Sequence, residues 1–217
     1  VSNNSTNNLS YILYFTWHLW CVYYKKTKHR QHKADQGGRR NYMKLTLQTE
    51  RLILRPFEIT DAQEMFDGWT SDPIVARYVT WNAHKNAEET AQLLSLWAAE
   101  YEKPERLNFA IVLRSTSKLI GGIDVVGYIG GVNGTPVIGY NLAQEYWGKG
   151  YTTEACRCVI DYLFVKGYSE IRIDAMAENI ASIKVIQKCG GIFFEAEEEY
   201  IPAKCKNVMV NKYVVKR

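Results

Sequence analysis

The hydrophobic period of the chain changes several times. Arg51 to Pro56 reads Arg-Leu-Ile-Leu-Arg-Pro, a short strand closed by proline. Thr60 and Gln63 have capping-box spacing and predict a short helix through Trp69. Asp72-Pro73 starts a further helical turn. Asn86 with Glu89 caps a longer helix, on which Thr90, Leu94, Trp97 and Tyr101 recur at helical spacing, with Pro104 just beyond its end. The period then falls to two over 108–113, 118–128 and 135–142, and Asn133-Gly134 between the last two predicts a hairpin. Residues 152–166 are helical again, with Ala155, Val159 and Leu163 on one stripe and Gly167 at the end. Ile171, Ile173 and Ala175 alternate with Arg172 and Asp174 in a strand over 170–175. A last helix over 179–189 stops at Gly190-Gly191, and strands 192–200 and 208–215 close the chain. The strand-helix-strand order across 135–175 requires a crossover, so those two strands should be parallel. The pattern predicts an α/β (α+β) fold: a mixed, mostly antiparallel sheet of six to seven strands with helices on both faces.

Charge divides the chain. The net charge is +4 over 217 residues. Residues 1–42 carry seven Lys/Arg and one Asp, whereas 43–217 carry twenty Lys/Arg and twenty-two Asp/Glu. The globular part therefore gives no electrostatic reason to expect nucleic acid. Within the leader an aromatic stretch, Tyr11 to Tyr24, precedes a basic run, Lys25 to Arg40. It suits a membrane-surface anchor, or it is upstream sequence translated ahead of a natural start at Met43. In the second case Arg39-Arg40 derive from a ribosome-binding sequence, and no membrane contact is expected. The expected division is thus a non-native or disordered leader, 1–42, and one domain, 43–217.

Five cysteines (21, 156, 158, 189, 205) without paired C-x-x-C spacing argue against a disulfide framework or a zinc site and fit a reducing cytoplasm. Of four histidines, only His84 lies outside the leader, which disfavours a Ser-His-Asp or Cys-His mechanism. His29 and His32 belong to a solvated charge run rather than a metal site.

The segment with chemistry is Glu145-Tyr146-Trp147-Gly148-Lys149-Gly150-Tyr151, between a strand and a helix. Two glycines one residue apart let consecutive N–H groups face one point, and the helix that follows adds its own unpaired N–H groups. That suits a pyrophosphate. It is neither a P-loop nor a Rossmann fingerprint, since the G-K-[ST] ending and the third glycine are missing.

Trp147-Gly148-Lys149-Gly150-Tyr151-Thr152-Thr153-Glu154-Ala155, followed by Glu178-Asn179 and Ser182, resembles the GNAT superfamily of acetyl-CoA-dependent N-acetyltransferases, and within it the RimJ/RimL type. Thr49 to Pro56, Ile120-Gly121-Gly122, Ile138-Gly139-Tyr140 and Asn179 to Gly190 are similar to its other elements, so the resemblance covers about residues 45–215. It implies transfer of acetyl from acetyl-CoA, as co-substrate, to a primary amine, without a covalent enzyme intermediate or a metal. The amine belongs to a protein N-terminus or to a small molecule such as an antibiotic or polyamine. A cofactor-binding module without turnover is the competing reading. The protein is expected to be a monomer or homodimer. By the resemblance, Tyr140, Asn141 and Leu142 offer backbone groups to the pantetheine arm, and Trp147, Gly148, Lys149, Gly150, Tyr151 and Thr152 cradle the pyrophosphate. Trp147 has packing as its alternative, and Lys149 a solvated surface position. Asn179 caps the last helix and can reach the cofactor. Ser182 stands near the leaving thiolate or is an ordinary first-turn serine. Asp124 is the first candidate for the general base, ahead of Glu88 and Glu145, with a solvent-facing strand position as its alternative. Trp69, Tyr78, Trp81 and His84 are candidates for the acceptor wall, with core packing as their alternative. Glu145 departs from the family pattern, because a carboxylate there is unfavourable beside phosphates unless it points away.

Overall fold

The computed structural model describes residues 45–217 except Pro104 and Val132. The leader, its charge run with His29 and His32, Cys21, the Met43 start and Pro104 lie outside the described residues. The strands are β1 (Leu47–Gln48), β2 (Leu52–Pro56), β3 (Asn108–Leu113), β4 (Leu119–Ile129), β5 (Thr135–Leu142), β6 (Glu170–Met176), β7 (Ile192–Ile201) and β8 (Lys206–Lys216). The helices are α1 (Ala62–Met65), α2 (Pro73–Ala76), α3 (Ala87–Ala98), α4 (Tyr151–Val165) and α5 (Ile180–Lys188). One eight-stranded sheet has the order β1-β2-β3-β4-β5-β6-β8-β7, with β5–β6 its parallel pair. The strand beyond the expected seven is β1, whose two residues pair with Ile53 and Leu54. A segment that short leaves no readable period.

The sheet has two buried faces, because alternate side chains enter different layers. Phe109, Ile111 and Leu113 pack with Ala155, Val159 and Leu163 of α4 and Ile186 of α5. Ala110, Val112 and Leu119 pack with Met65, Trp69, Leu94 and Trp97 from the early helices. Two irregularities bend β4. The register with β3 slips at Ile111/Val112, and that with β5 slips at Val125/Gly127.

Several predicted signals act differently. The stretch Ile59–Thr70 changes pitch: a 3-10 turn (Ile59–Asp61), then α1, then a π-turn (Phe66–Thr70). It starts not at a Thr60–Gln63 box but at Glu58 and Asp61, where Asp61 accepts the Glu58 N–H at 2.8 Å and holds Arg55 in two bonds of 2.7 and 2.8 Å. Arginine recruits the aspartate and so fixes where the turn begins. The β4–β5 hairpin forms, but its positive-φ residues are Gly130 and Gly131 rather than Asn133-Gly134. Asn86 caps α3 as its spacing predicts, accepting from the Glu89 N–H at 3.0 Å.

Leu54 is wholly buried in β2, against the α4 side. Leu54→Ala should cost about 2–5 kcal/mol, read as a lower urea midpoint with an unchanged slope.

Candidate active site

The site begins where two parallel strands part. β5 and β6 are in register only at Val137↔Arg172 and Ile138↔Ile173. Beyond that point Gly139–Leu142 stay on β4, while Asp174–Met176 stay on β8. A cavity of about 950 Å³ opens between them. Tyr140, Asn141, Leu142, Trp147, Gly148, Gly150, Tyr151, Thr152, Asn179 and Ser182 line it, so most of the predicted cofactor residues meet in one place.

Gly148 and Gly150 have φ of 74° and 81°, the left-handed region where a Cβ is strained. Gly150 is the N-cap of α4. The first-turn N–H groups of that helix and its positive dipole end face the cavity mouth. The loop is anchored from the far end of the chain. Glu154 accepts from Thr49 Oγ1 (2.5 Å), the Arg51 N–H (2.9 Å) and Arg51 Nε (2.6 Å), and Arg51 also donates to the Lys149 carbonyl (3.0 Å). Burial alone would raise the Glu154 carboxyl, but these hydrogen bonds hold it below its usual value. Sequence reading missed this clamp, whose halves are 103 residues apart. Trp147 donates its indole N–H to the Leu142 carbonyl at 2.6 Å, tying the loop to β5 while its ring stays half exposed. Lys149 is exposed, over the Tyr146 ring at 5.3 Å and outside the cavity lining. Glu145 points away from the phosphate loop, to Lys118 at 3.0 Å, which removes the objection to a carboxylate there.

At the inner end of the cleft two hydroxyls meet. Asn179 caps α5 by accepting the Ser182 N–H at 3.1 Å, and Tyr140 Oη lies 2.8 Å from Ser182 Oγ. Burial, first among its causes, pushes the Tyr140 phenol far above its ordinary value. Tyr140 therefore stays protonated and acts through its hydrogen bond, a role for its side chain that the sequence did not suggest. Asp124, on β4 opposite Gly139, is not a solvent-facing strand residue. It is 9% exposed, its Oδ2 is buried without a hydrogen-bond partner, and it lines the same cavity. Desolvation raises its carboxyl to about 6, against the opposing pull of Arg106.

Residues 51–192 match the model of the Acetyltransferase (GNAT) domain. The chain belongs to the GNAT acetyltransferases.

Among relatives, it is 32% identical over 144 residues to the uncharacterized N-acetyltransferase p20 of Bacillus licheniformis, covering 65% of this chain and 79% of that one. Among solved structures, a GNAT-family acetyltransferase from Bacillus anthracis superposes with a TM-score of 0.69 at 25% identity, over 79% of this chain and 98% of that chain. RimL, a ribosomal L7/L12 alpha-N-protein acetyltransferase solved with coenzyme A, superposes with a TM-score of 0.69 at 15% identity, over 79% and 98% of the two chains, and shares the fold. GNAT membership makes the protein an acetyl-CoA-dependent N-acetyltransferase.

The four candidates for the acceptor wall of this acetyltransferase divide. Tyr78 and Trp81 line the cavity, but Trp69 and His84 do not. Trp69 is wholly buried in the core under the early helices. His84 bonds Thr90 Oγ1 at 2.7 Å, and Thr90 bonds Thr70 at 3.1 Å, a chain that holds the loop before α3. Aromatic composition alone does not separate wall from core. Cys156 and Cys189 are buried beside the α4–α5 contact, as packing residues would be. No group of metal-binding residues occurs among the described residues.

Valine at Gly148 or Gly150 should abolish acetyl-CoA binding in a folded protein, because a branched side chain cannot hold φ above +70° and the N–H groups would turn away. Isothermal titration checks this, with circular dichroism for the fold. Asp124→Asn should raise stability at pH 7.5. Between the ordinary aspartate value of 3.8 and about 6 the folded protein keeps a proton that the unfolded chain has released, so wild-type stability falls as pH rises through that window. The asparagine variant should gain up to about 3 kcal/mol above pH 6 and nothing near pH 4, read from denaturation midpoints at the two pH values.

Proposed function

We propose that the protein transfers acetyl to a primary amine, of a protein N-terminus or a small molecule, by direct attack within the cleft between β5 and β6. The observation that carries this reading is Asp124: a buried carboxylate with an unpartnered oxygen, in the same cavity as the phosphate loop and the Ser182 hydroxyl. The cleft fits acetyl-CoA. The backbone of Tyr140–Leu142 faces it as an unaugmented strand edge, the glycine loop and the α4 N-terminus supply donors for a pyrophosphate, and Asn179 and Ser182 close its inner end. Acetyl-CoA, when bound, supplies the activated acyl group.

Asp124 accepts a proton from the incoming ammonium. A carboxyl near 6 is ionised at neutral pH and still basic enough to be a useful acceptor. Gly139 leaves room for that step, since a Cβ there would stand 2.7 Å from Val126 Cγ1 and 3.5 Å from Asp124 Oδ1. Ser182, oriented by the hydrogen bond its N–H donates to Asn179 Oδ1 and by Tyr140, turns its hydroxyl toward the departing sulfur. Tyr140 is a positioning residue in this scheme, because it acts through Ser182. Lys149 stands at the mouth, where its charge favours phosphate on approach.

Asp124→Asn should lower kcat/KM for the acceptor about 10²-fold at pH 7 and erase the wild-type fall below about pH 6. The deficit should shrink toward alkaline pH, where the amine loses its proton unaided. Ser182→Ala should lower kcat by about 10²-fold with little change in acetyl-CoA affinity, and Tyr140→Phe should lower it less, since the serine hydroxyl remains. The measurement is CoA release with any amine the enzyme accepts. A wild-type pH profile in Asp124→Asn, together with full kcat in Ser182→Ala, would remove both assignments.

A further inference from the structure

Hydrogen-bond satisfaction identifies what the acceptor end of the cavity lacks. Among the described residues, seven buried side-chain polar atoms have no hydrogen-bond partner. Three of them are acceptors, Asp124 Oδ2, Asn141 Oδ1 and Glu199 Oε1, and all three residues line the same cavity. Of the residues with unpartnered donors, Trp69, Arg106, Asn108 and Arg172, Arg106 alone lines it; its Nε stands 3.6 Å from Glu100, just as Glu199 Oε1 stands 3.6 Å from Lys212. Buried polar groups are normally satisfied. A cavity whose unmet groups are mainly acceptors, two of them carboxylates, calls for a ligand that donates and is cationic.

The positions say how the charges of that ligand are spaced. Asp124 pairs with Gly139 and Gly122 with Asn141, so Asp124 and Asn141 are diagonal neighbours on one sheet face, with Cα atoms roughly 7 Å apart. One nitrogen can serve both. Glu199 belongs to β7, four strand positions from β4 and on the far side of the parting between β5 and β6. Lys212 does not neutralise it fully. The same ammonium lies 3.9 Å from Glu195 and 3.6 Å from Glu199 and bonds Glu197, one cation among three carboxylates. The turn after β7 closes this end against the early loop. Lys204 donates to the carbonyls of Ala76 (2.7 Å) and Trp81 (3.2 Å), and Asn82 donates to the Ala203 carbonyl (2.6 Å). Between the acidic ends the lining is largely apolar, as at Trp81, Val126 and Ile201, and suits methylene chains.

We propose that the acceptor is an extended aliphatic polyamine, with its reacting nitrogen between Asp124 and Asn141 and a second ammonium at Glu199. This rests on the transferase reading above and specifies its substrate. A peptide N-terminus fits the cavity less well, because each residue behind the amine brings a neutral N–H and C=O pair into an apolar stretch and the backbone carries no second cation for Glu199. A short diamine does not span the distance.

The test is CoA release from wild type, Glu199→Gln and Asn141→Leu with spermidine, 1,4-diaminobutane, hexylamine and an N-terminal tetrapeptide, each with saturating acetyl-CoA. The expected result is a wild-type kcat/KM for spermidine at least tenfold above those for hexylamine and the peptide. Glu199→Gln should lower the spermidine-to-hexylamine ratio of kcat/KM about tenfold through KM. Asn141→Leu should lower kcat/KM for both amines, leaving the KM for acetyl-CoA and the melting temperature near wild type. Equal wild-type rates for spermidine and hexylamine, preference for the peptide, or an unchanged ratio in Glu199→Gln would overturn the polyamine assignment and leave the transferase intact. No turnover of any amine, with acetyl-CoA bound tightly, would overturn the transferase reading itself.

Discussion

The parting of β5 from β6 is the constraint on which the rest of the structure depends. A parallel pair formed through a helical crossover has no turn to hold its strands together, and here it survives for two register positions, Val137↔Arg172 and Ile138↔Ile173. Past them each strand remains paired on its outer side only, so a row of backbone donors and acceptors from Gly139 to Leu142 faces a cleft. Such an edge is costly to bury unpartnered and well suited to an extended ligand. The same crossover delivers α4 with its N-terminus at the mouth of the cleft. Fold topology thus places the strand edge for an arm and the helix end for a phosphate side by side before any catalytic side chain is considered.

Holding this geometry open has a cost, and the structure meets it with local polar ties. The Thr49–Arg51–Glu154 clamp joins the first strands to α4, and the Trp147 indole joins the glycine loop to Leu142. Asp124 is the counter-example. Its carboxylate is desolvated without a matching hydrogen bond, so its ionised form weakens the folded state; in the proposed mechanism the same environment gives the base its strength. Asp124 is retained against stability, and that sets it apart from Asp61, which is buried to a similar degree but held by Arg55 in two bonds.

What the sequence disclosed follows from the range of each signal. Strands 108–113 and 135–142 and the crossover helix are written in local periodicity, and the structure reproduces them to within a residue. The glycine loop was legible because glycines one residue apart before a helix have few other uses. The pitch changes in 59–70 were not, since an Arg55–Asp61 pair rather than a local cap decides where that stretch starts. The Tyr140–Ser182 contact joins residues 42 apart, and the Glu199 wall comes from the last hairpin. Neither carries a local pattern. No local pattern separates an acceptor wall from core packing at Trp69 and His84, and only the burial of Trp69 and the Thr90 bond of His84 set them apart from the cavity lining.

The two ends of the cleft are complementary in hydrogen-bonding sense as well as in shape. At the α4 end the protein presents donors: loop and first-turn N–H groups, with Lys149 nearby. Elsewhere along the cleft it presents acceptors: Asp124 on β4, Asn141 on β5 and, across the parting of the strands, Glu199 on β7. In the proposed reaction a polyanionic cofactor is drawn to the α4 end and a cationic acceptor to the carboxylates, and the two meet between Asp124 and Ser182. Reversing either approach would set phosphate against carboxylate and ammonium against a helix N-terminus, both unfavourable. Orientation is thus imposed by charge before contact, and few side chains are left to do the chemistry because the ends of the cleft have already aligned the reactants.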